Sequence, residues 1–217
     1  MRTRILMTIS LGVVVVFPQM AWGAVAEILD QAQEMTGDSY AFYQPQGCPS
    51  AGVKGAAQTF TAGLSGLLTR VDLFLSKENW TTDAEHMGIE IRAVDPNGSL
   101  LASSSIVLAS AIPFEPNYSW VSFTFAAPTT VSAGQVYAIV LPPDEAQNDD
   151  YDPTYRWPGP YDDVYAGGVT WDKYCNSSGE YPWQSYDFGS DRTFRTYVSP
   201  IVPTKDGTWG RLRATYH

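Results

Sequence analysis

The sequence predicts an all-β fold, an antiparallel β-sandwich, on three observations. From Ala57 onward, short runs alternate apolar and polar residues with a period of two. Turn-forming residues separate these runs, supplied by 18 glycines and 15 prolines. No stripe of helical period lies between them, so the runs must cover their apolar faces sheet on sheet. Composition agrees, since 13% aromatic and 17% charged residues describe a chain that buries a core. At 217 residues the chain suffices for one large β domain or two small ones.

The first segment stands apart from the rest. Arg2 and Arg4 precede an apolar run over residues 5–17, and Ala21 and Gly23 are small residues suited to a cleavage site. This predicts a signal peptide over residues 1–23 and a mature chain from Ala24, secreted to the extracellular space or cell surface, with the periplasm as the other destination. A membrane anchor would need about 20 apolar residues, and Pro18 and Gln19 cut the run short. Export bears on the cysteines. Cys48 and Cys175 are the only two, and an oxidising compartment favours joining them. Two free thiols, or a metal site with further ligands, are the alternatives.

Taken in order, residues 67–76 place Val71, Leu73 and Leu75 on one face and Arg70, Asp72 and Phe74 on the other. Residues 88–94 set Ile89 and Ile91 against Glu90 and Arg92. Asp95, Pro96, Asn97 and Gly98 then form a turn, with proline presetting φ and glycine accepting a positive one. Residues 100–102 and 106–108 are short strands. In residues 120–125, Val121, Phe123 and Phe125 alternate with Ser122 and Thr124, and Trp120 opens the strand as a packed residue. Residues 136–141 read as a more buried, continuous apolar strand, and residues 192–198 close the series. The sandwich therefore spans residues 24–198. In the tail, 199–217, Trp209, Leu212 and Tyr216 have the spacing of a short amphipathic helix.

Two overlapping segments break this rhythm and read as a long loop region. Residues 144–163 hold seven carboxylates against the single Arg156. Residues 151–186 hold ten of the chain's twenty Trp and Tyr residues. Long loops on a sandwich are where binding surfaces sit. Asn148, Asp150 and Asp152 alternate as hard oxygen donors, with Asp144 and Asp149 close by, a set suited to one Ca²⁺ ion. Pro153 and Gly159 occupy the positions where an EF-hand needs its glycine and its closing glutamate, so the loop is not of that type. A solvated acidic loop is the alternative. Among the aromatics, Trp157, Tyr161, Tyr165 and Trp183 are the candidate ligand contacts, because sugar rings offer apolar faces to Trp and Tyr. Trp171 lies in a strand-like run, which assigns it to the core. Each of these aromatics has core or loop packing as its competing role.

Several of these runs carry a resemblance. Residues 57–66 (AQTFTAGLSG), 68–73 (LTRVDL), 89–92 (IEIR), 120–125 (WVSFTF), 134–141 (GQVYAIVL) and 194–198 (FRTYV) together resemble bacterial secreted β-sandwich modules of jelly-roll, carbohydrate-binding-module-like type. Such modules are found as non-catalytic domains of surface and extracellular proteins. The likeness spans about residues 28–198 and implies fold and location; it carries no fixed binding motif. The spacing of Trp157, Gly167, Gly168 and Trp171 also looks like that class, which points to structural roles for them. The ending Trp209-Gly-Arg-Leu-Arg-Ala-Thr-Tyr216 resembles terminal segments of some exported bacterial proteins.

Charge and motif content narrow the function. A formal net charge of −10 excludes a phosphate-gripping nucleic-acid binder, which needs a basic face. His86 and the terminal His217 are the only histidines, so a multi-histidine zinc site is excluded. No Gly-x-Ser-x-Gly elbow or phosphate-binding loop occurs. His86, after Asp83 and Glu85, reads as an ordinary solvated histidine. The sequons at Asn79, Asn97, Asn117 and Asn176 mark exposed loops. The expectation is a non-enzymatic extracellular module that binds glycan or a cell-surface polymer, with calcium assisting. Its rival is a structural or adhesive surface protein that binds protein partners or itself. A glycosidase or esterase ranks last, for want of a catalytic constellation.

Overall fold

The computed structural model describes residues 26–37, 39–43, 52–81, 83, 85–142, 154–176, 179–180, 182–186 and 190–201. The strands are β1 (Ile28–Gln33), β2 (Ser39–Tyr43), β3 (Gly52–Thr61), β4 (Gly66–Lys77), β5 (His86–Met87), β6 (Glu90–Ala93), β7 (Leu100–Ser103) and β8 (Val107–Leu108). After a single 3₁₀ turn, Ala109–Ala111, come β9 (Ser119–Val131), β10 (Val136–Leu141), β11 (Tyr155–Gly159), β12 (Thr170–Asn176), β13 (Gly179–Glu180), β14 (Gln184–Tyr186) and β15 (Phe194–Ser199). Among the described residues there is no α-helix, and no helix long and apolar enough to cross a membrane.

Two antiparallel sheets pack face to face, as the alternation predicts. One sheet has the order β1, β15, β4, β9; the other runs β7, β6, β10, β3, β12, with β13 and β14 on the far side of β12. Strands β11 and β2 join the sheets at one corner, β11 pairing with the end of β4 and β2 meeting β3 through a single parallel pair, Tyr43 with Val53. Strands β5 and β8 form a separate ribbon. The core lies between the sheets. Val71, Leu73 and Leu75 of β4, Val121, Phe123 and Phe125 of β9, Ile91 of β6 and Tyr137, Ile139 and Leu141 of β10 all bury their side chains there. Their polar alternates, Arg70, Ser122, Thr124, Glu90 and Arg92, face outward, which is the pleat doing what the period of two requires.

Strand β10 is apolar throughout because both its faces are covered. Tyr137, Ile139 and Leu141 enter the main core, while Ala138 and Val140 join Ala57 in a small second cluster on the opposite face, under Trp171 and Trp183.

Within the expected long loop region, the described residues from 154 onward instead form four strands, β11 to β14. Pro158 and Gly159 read as breakers, yet β11 tolerates them because Tyr155 and Trp157 point into the core and anchor the strand. Trp157 is fully buried, and its indole N–H donates to the Thr193 carbonyl at 2.9 Å. Trp171, expected in the core, instead lies half-buried on the outward face of β12. Here Thr170 and Asp172 are the inward-facing residues, so the strand's alternation runs one residue out of phase with the expected one. The signal segment over residues 1–23, the tail helix and Cys48 lie outside the described residues. So do the calcium candidates Asp144, Asn148, Asp149, Asp150 and Asp152.

Candidate functional site

The outward face of the second sheet carries a cavity of about 380 Å³ between Trp183, Lys173, Glu90, Arg92, Val140 and the turn at Pro96 and Asn97. Strand register explains its floor. Trp171 pairs with Ala57, Ala57 with Val140, and Val140 with Glu90, so one row of side chains crosses four strands. Ala57 and Ala138 keep that floor low. Next to it, Gly55 allows the indole of Trp183 to lie against the sheet: a Cβ on Gly55 would stand 2.7 Å from the edge of the Trp183 ring. The aromatic surface is thus seated by a glycine and two alanines on the neighbouring strands.

Charge is arranged at the opposite wall. The Arg92 guanidinium donates to Glu90 Oε2 through Nε and Nη2, each at 2.7 Å, and through Nη1 to the Gly98 carbonyl at 3.2 Å. This fixes both side chains and leaves an ordered edge of donors and acceptors beside an apolar surface. The turn that completes the wall is strained. Val94 has φ +67°, and Asp95 N–H closes a three-residue turn onto the Ala93 carbonyl at 2.8 Å. A β-branched residue is rarely held there. Asp95 Oδ1 accepts Asn97 N–H at 2.7 Å, and Gly98 N–H bonds Asp95 O at 2.9 Å, which locks Asn97 at the rim.

A buried polar cluster supports the same sheet from the core side. Asp172 on β12 faces Arg192 at 3.5 Å, and burial pushes its carboxyl above the usual range even though the Arg192 charge opposes this. Gln58 Oε1 accepts Arg192 N–H at 2.8 Å, and Gln58 Nε2 donates to Asp191 Oδ1 at 3.3 Å. Asp191 Oδ2 in turn accepts the N–H groups of Val164 and Tyr165 at 2.8 and 2.7 Å, and burial raises its carboxyl also. This cluster fastens the 160–169 segment to β3 and β12.

The four predicted ligand aromatics therefore have different settings. Trp157 presents no surface to a ligand. Tyr165 stands edge-on to Phe194 at 5.2 Å and donates its hydroxyl to Gln31 Oε1 at 3.0 Å; burial pushes its hydroxyl up to about 12. Tyr161 is 68% exposed and does not line the cavity. Trp183 alone of the four lines the cavity. Sequence reasoning passed over Glu90, Arg92, Asn97, Gly55 and Lys173. The alternation shows Glu90 and Arg92 pointing outward, but nothing in it says which outward face collects aromatic rings. His86 pairs with Leu108 in the small ribbon, and the sequons at Asn79, Asn97 and Asn117 are exposed as expected. Among the described residues no group of three or more His, Cys, Asp or Glu is placed to hold a metal ion.

No known family model and no curated protein sequence matches the chain.

Proposed function

We propose that the protein is a non-catalytic, secreted glycan-binding module whose binding face is the outward surface of the second sheet around Trp183. One observation carries this reading: an indole laid on a glycine-and-alanine floor, facing an oriented Arg92–Glu90 pair across a cavity of about 380 Å³. Sugar rings pair apolar C–H faces with hydroxyls that both donate and accept, and this surface offers the complement of each. The bacterial module resemblance and the signal-like N-terminus point the same way. The test is a glycan array on the mature chain, followed by calorimetry of the bound glycan against Trp183→Ala and Glu90→Gln. Each substitution is expected to weaken binding tenfold or more, about 1.4 kcal/mol. An array without binding overturns the reading.

Calcium assistance belongs to the same proposal. Arg156, the one cation in the acidic segment, pairs with Glu78 and Glu115, and a bound Ca²⁺ would offset the mutual repulsion of the carboxylates between residues 144 and 152. Asp144, Asn148, Asp149, Asp150 and Asp152 would supply the oxygens. Thermal unfolding should shift upward in millimolar calcium and return with chelator, whereas identical curves in calcium, magnesium and chelator refute the ion.

A second reading, a surface module that binds protein or itself, draws on one feature. Leu100, Leu101, Ile106 and Leu108, on and beside β7 and β8, are 37–64% exposed. Concentration-dependent self-association, abolished by Ile106→Ser with Leu108→Ser, would favour it.

A further inference from the structure

We infer that the module carries a second glycan site, on the outward side of the other sheet, and so holds two glycan chains at once. The inference rests on the reading of the protein as a glycan binder. A cavity of about 500 Å³ opens between Phe74 of β4, Tyr118, Glu115, Arg156 of β11, Pro158 and the Thr36–Gly37 stretch. Phe74 lies on the outward face of its strand because Leu73 and Leu75, its neighbours, enter the core. The two cavities therefore sit on opposite sides of the sandwich.

The second cavity repeats the composition of the first, an aromatic surface beside an arginine held by glutamate. Phe74 and Tyr118 stack with centroids 5.6 Å apart and planes within 21°. Trp120 supports Phe74 from the side at 5.3 Å, and its own ring is covered by the Arg195 guanidinium at 3.8 Å, so it buttresses the pair rather than adding to the open surface. Arg156 reaches Glu115 through Nη1 and Glu78 through Nη2 at 2.5 Å and Nε at 2.7 Å. Glu78 is buried, while Glu115 and Arg156 line the cavity. As with Glu90 and Arg92, donors and acceptors are oriented before any ligand arrives, and one positive charge is met by carboxylate. Such a wall suits the hydroxyls of a neutral sugar chain better than an anion, because the guanidinium is already committed.

The core of the sandwich lies between the two cavities, and among the described residues no groove joins them. Occupancy of both would let one molecule join two polysaccharide chains, which multiplies retention on a polymer without new contacts at either site.

The test is calorimetry of the full mature chain with cellohexaose, chitohexaose and xylohexaose, with Trp183→Ala, Tyr118→Ala and Glu115→Gln alongside. The expected result is two oligosaccharides per chain for a probe that binds. Trp183→Ala should leave one, Tyr118→Ala or Glu115→Gln should leave the other, and the double variant neither. Circular dichroism of each variant separates loss of a site from loss of fold, and Glu115→Gln, at the cavity wall, spares the aromatic pair. The wild type should also precipitate the matching soluble polysaccharide, and either single variant should not. A single oligosaccharide per chain, removed by one substitution alone, overturns this inference and leaves the first site standing. Failure of these probes and of the glycan array to bind at all overturns both.

Discussion

Two tryptophans of one segment occupy opposite settings, Trp157 in the core and Trp183 on an outward face. Trp157 has no exposed surface and fixes its indole N–H on Thr193, so Trp157→Ala should cost about 3–5 kcal/mol in urea unfolding. Trp183 is half-buried on the outward face over Gly55, so Trp183→Ala should unfold close to wild type and, on the proposed function, lose glycan affinity. Equal destabilisation by both would place Trp183 in the core's service instead. Asp172 supplies a second prediction. Burial raises its folded carboxyl above the ordinary 3.8, with Arg192 opposing, so the folded protein takes up this proton more readily than the unfolded chain. Its contribution to stability is therefore fully present below the unfolded value and is lost as pH rises through the higher folded one. Acidification from about pH 7 to about pH 4 should help the wild type more than Asp172→Asn. Urea midpoints at the two pH values measure the difference, and a variant with the same pH response as wild type contradicts it.

At the level of elements, the strained turn after β6 is an arrangement in which local geometry is held against preference. Val94 is 63% exposed, so its side chain gains little from burial while its backbone sits at φ +67°. Asparagine tolerates that region through its short polar side chain. Val94→Asn should therefore stabilise the fold by about 0.5–1 kcal/mol, read as a higher urea midpoint with unchanged slope. Loss of stability instead would mean that the valine methyls hold the turn. Strand β11 teaches the opposite lesson. Its Pro158 and Gly159 are turn residues by local chemistry, and only burial of Tyr155 and Trp157 makes the segment a strand. Local propensity could not reveal it, because the deciding contacts come from β2, β4 and Thr193, far away in the sequence. Strands β4, β6, β9 and β10 were legible for the reverse reason: each alternates against a core on one face, or is covered on both. The cavity at Trp183 was legible only in part, since Trp183 stood among the candidate aromatics while the strand register that seats it depends on pairings distant in sequence.

At the level of the whole molecule, the chain closes on itself, with β1 at its start paired along β15 near its end. Long-range pairing of this kind delays the reward for ordering the chain, and a covalent tie between distant strands would offset part of that cost. The sequence offers a candidate for such a tie. Cys175 on β12 pairs opposite Gly52 of β3, and Cys48 lies four residues before Gly52 in the sequence. Strand β3 thus begins beside Cys175 a few residues after Cys48, and a Cys48–Cys175 bond is the predicted tie. By constraining so long a loop in the unfolded state, the bond should add up to about 4–5 kcal/mol. Thiol titration of the denatured, unreduced protein should find no free sulfhydryl. Reductant should lower the guanidinium midpoint of the wild type and leave the Cys48→Ser, Cys175→Ser double variant unmoved. Two titratable thiols, or a wild-type midpoint indifferent to reductant, would show that the strand pairing between β3 and β12 stands on hydrogen bonds and packing alone.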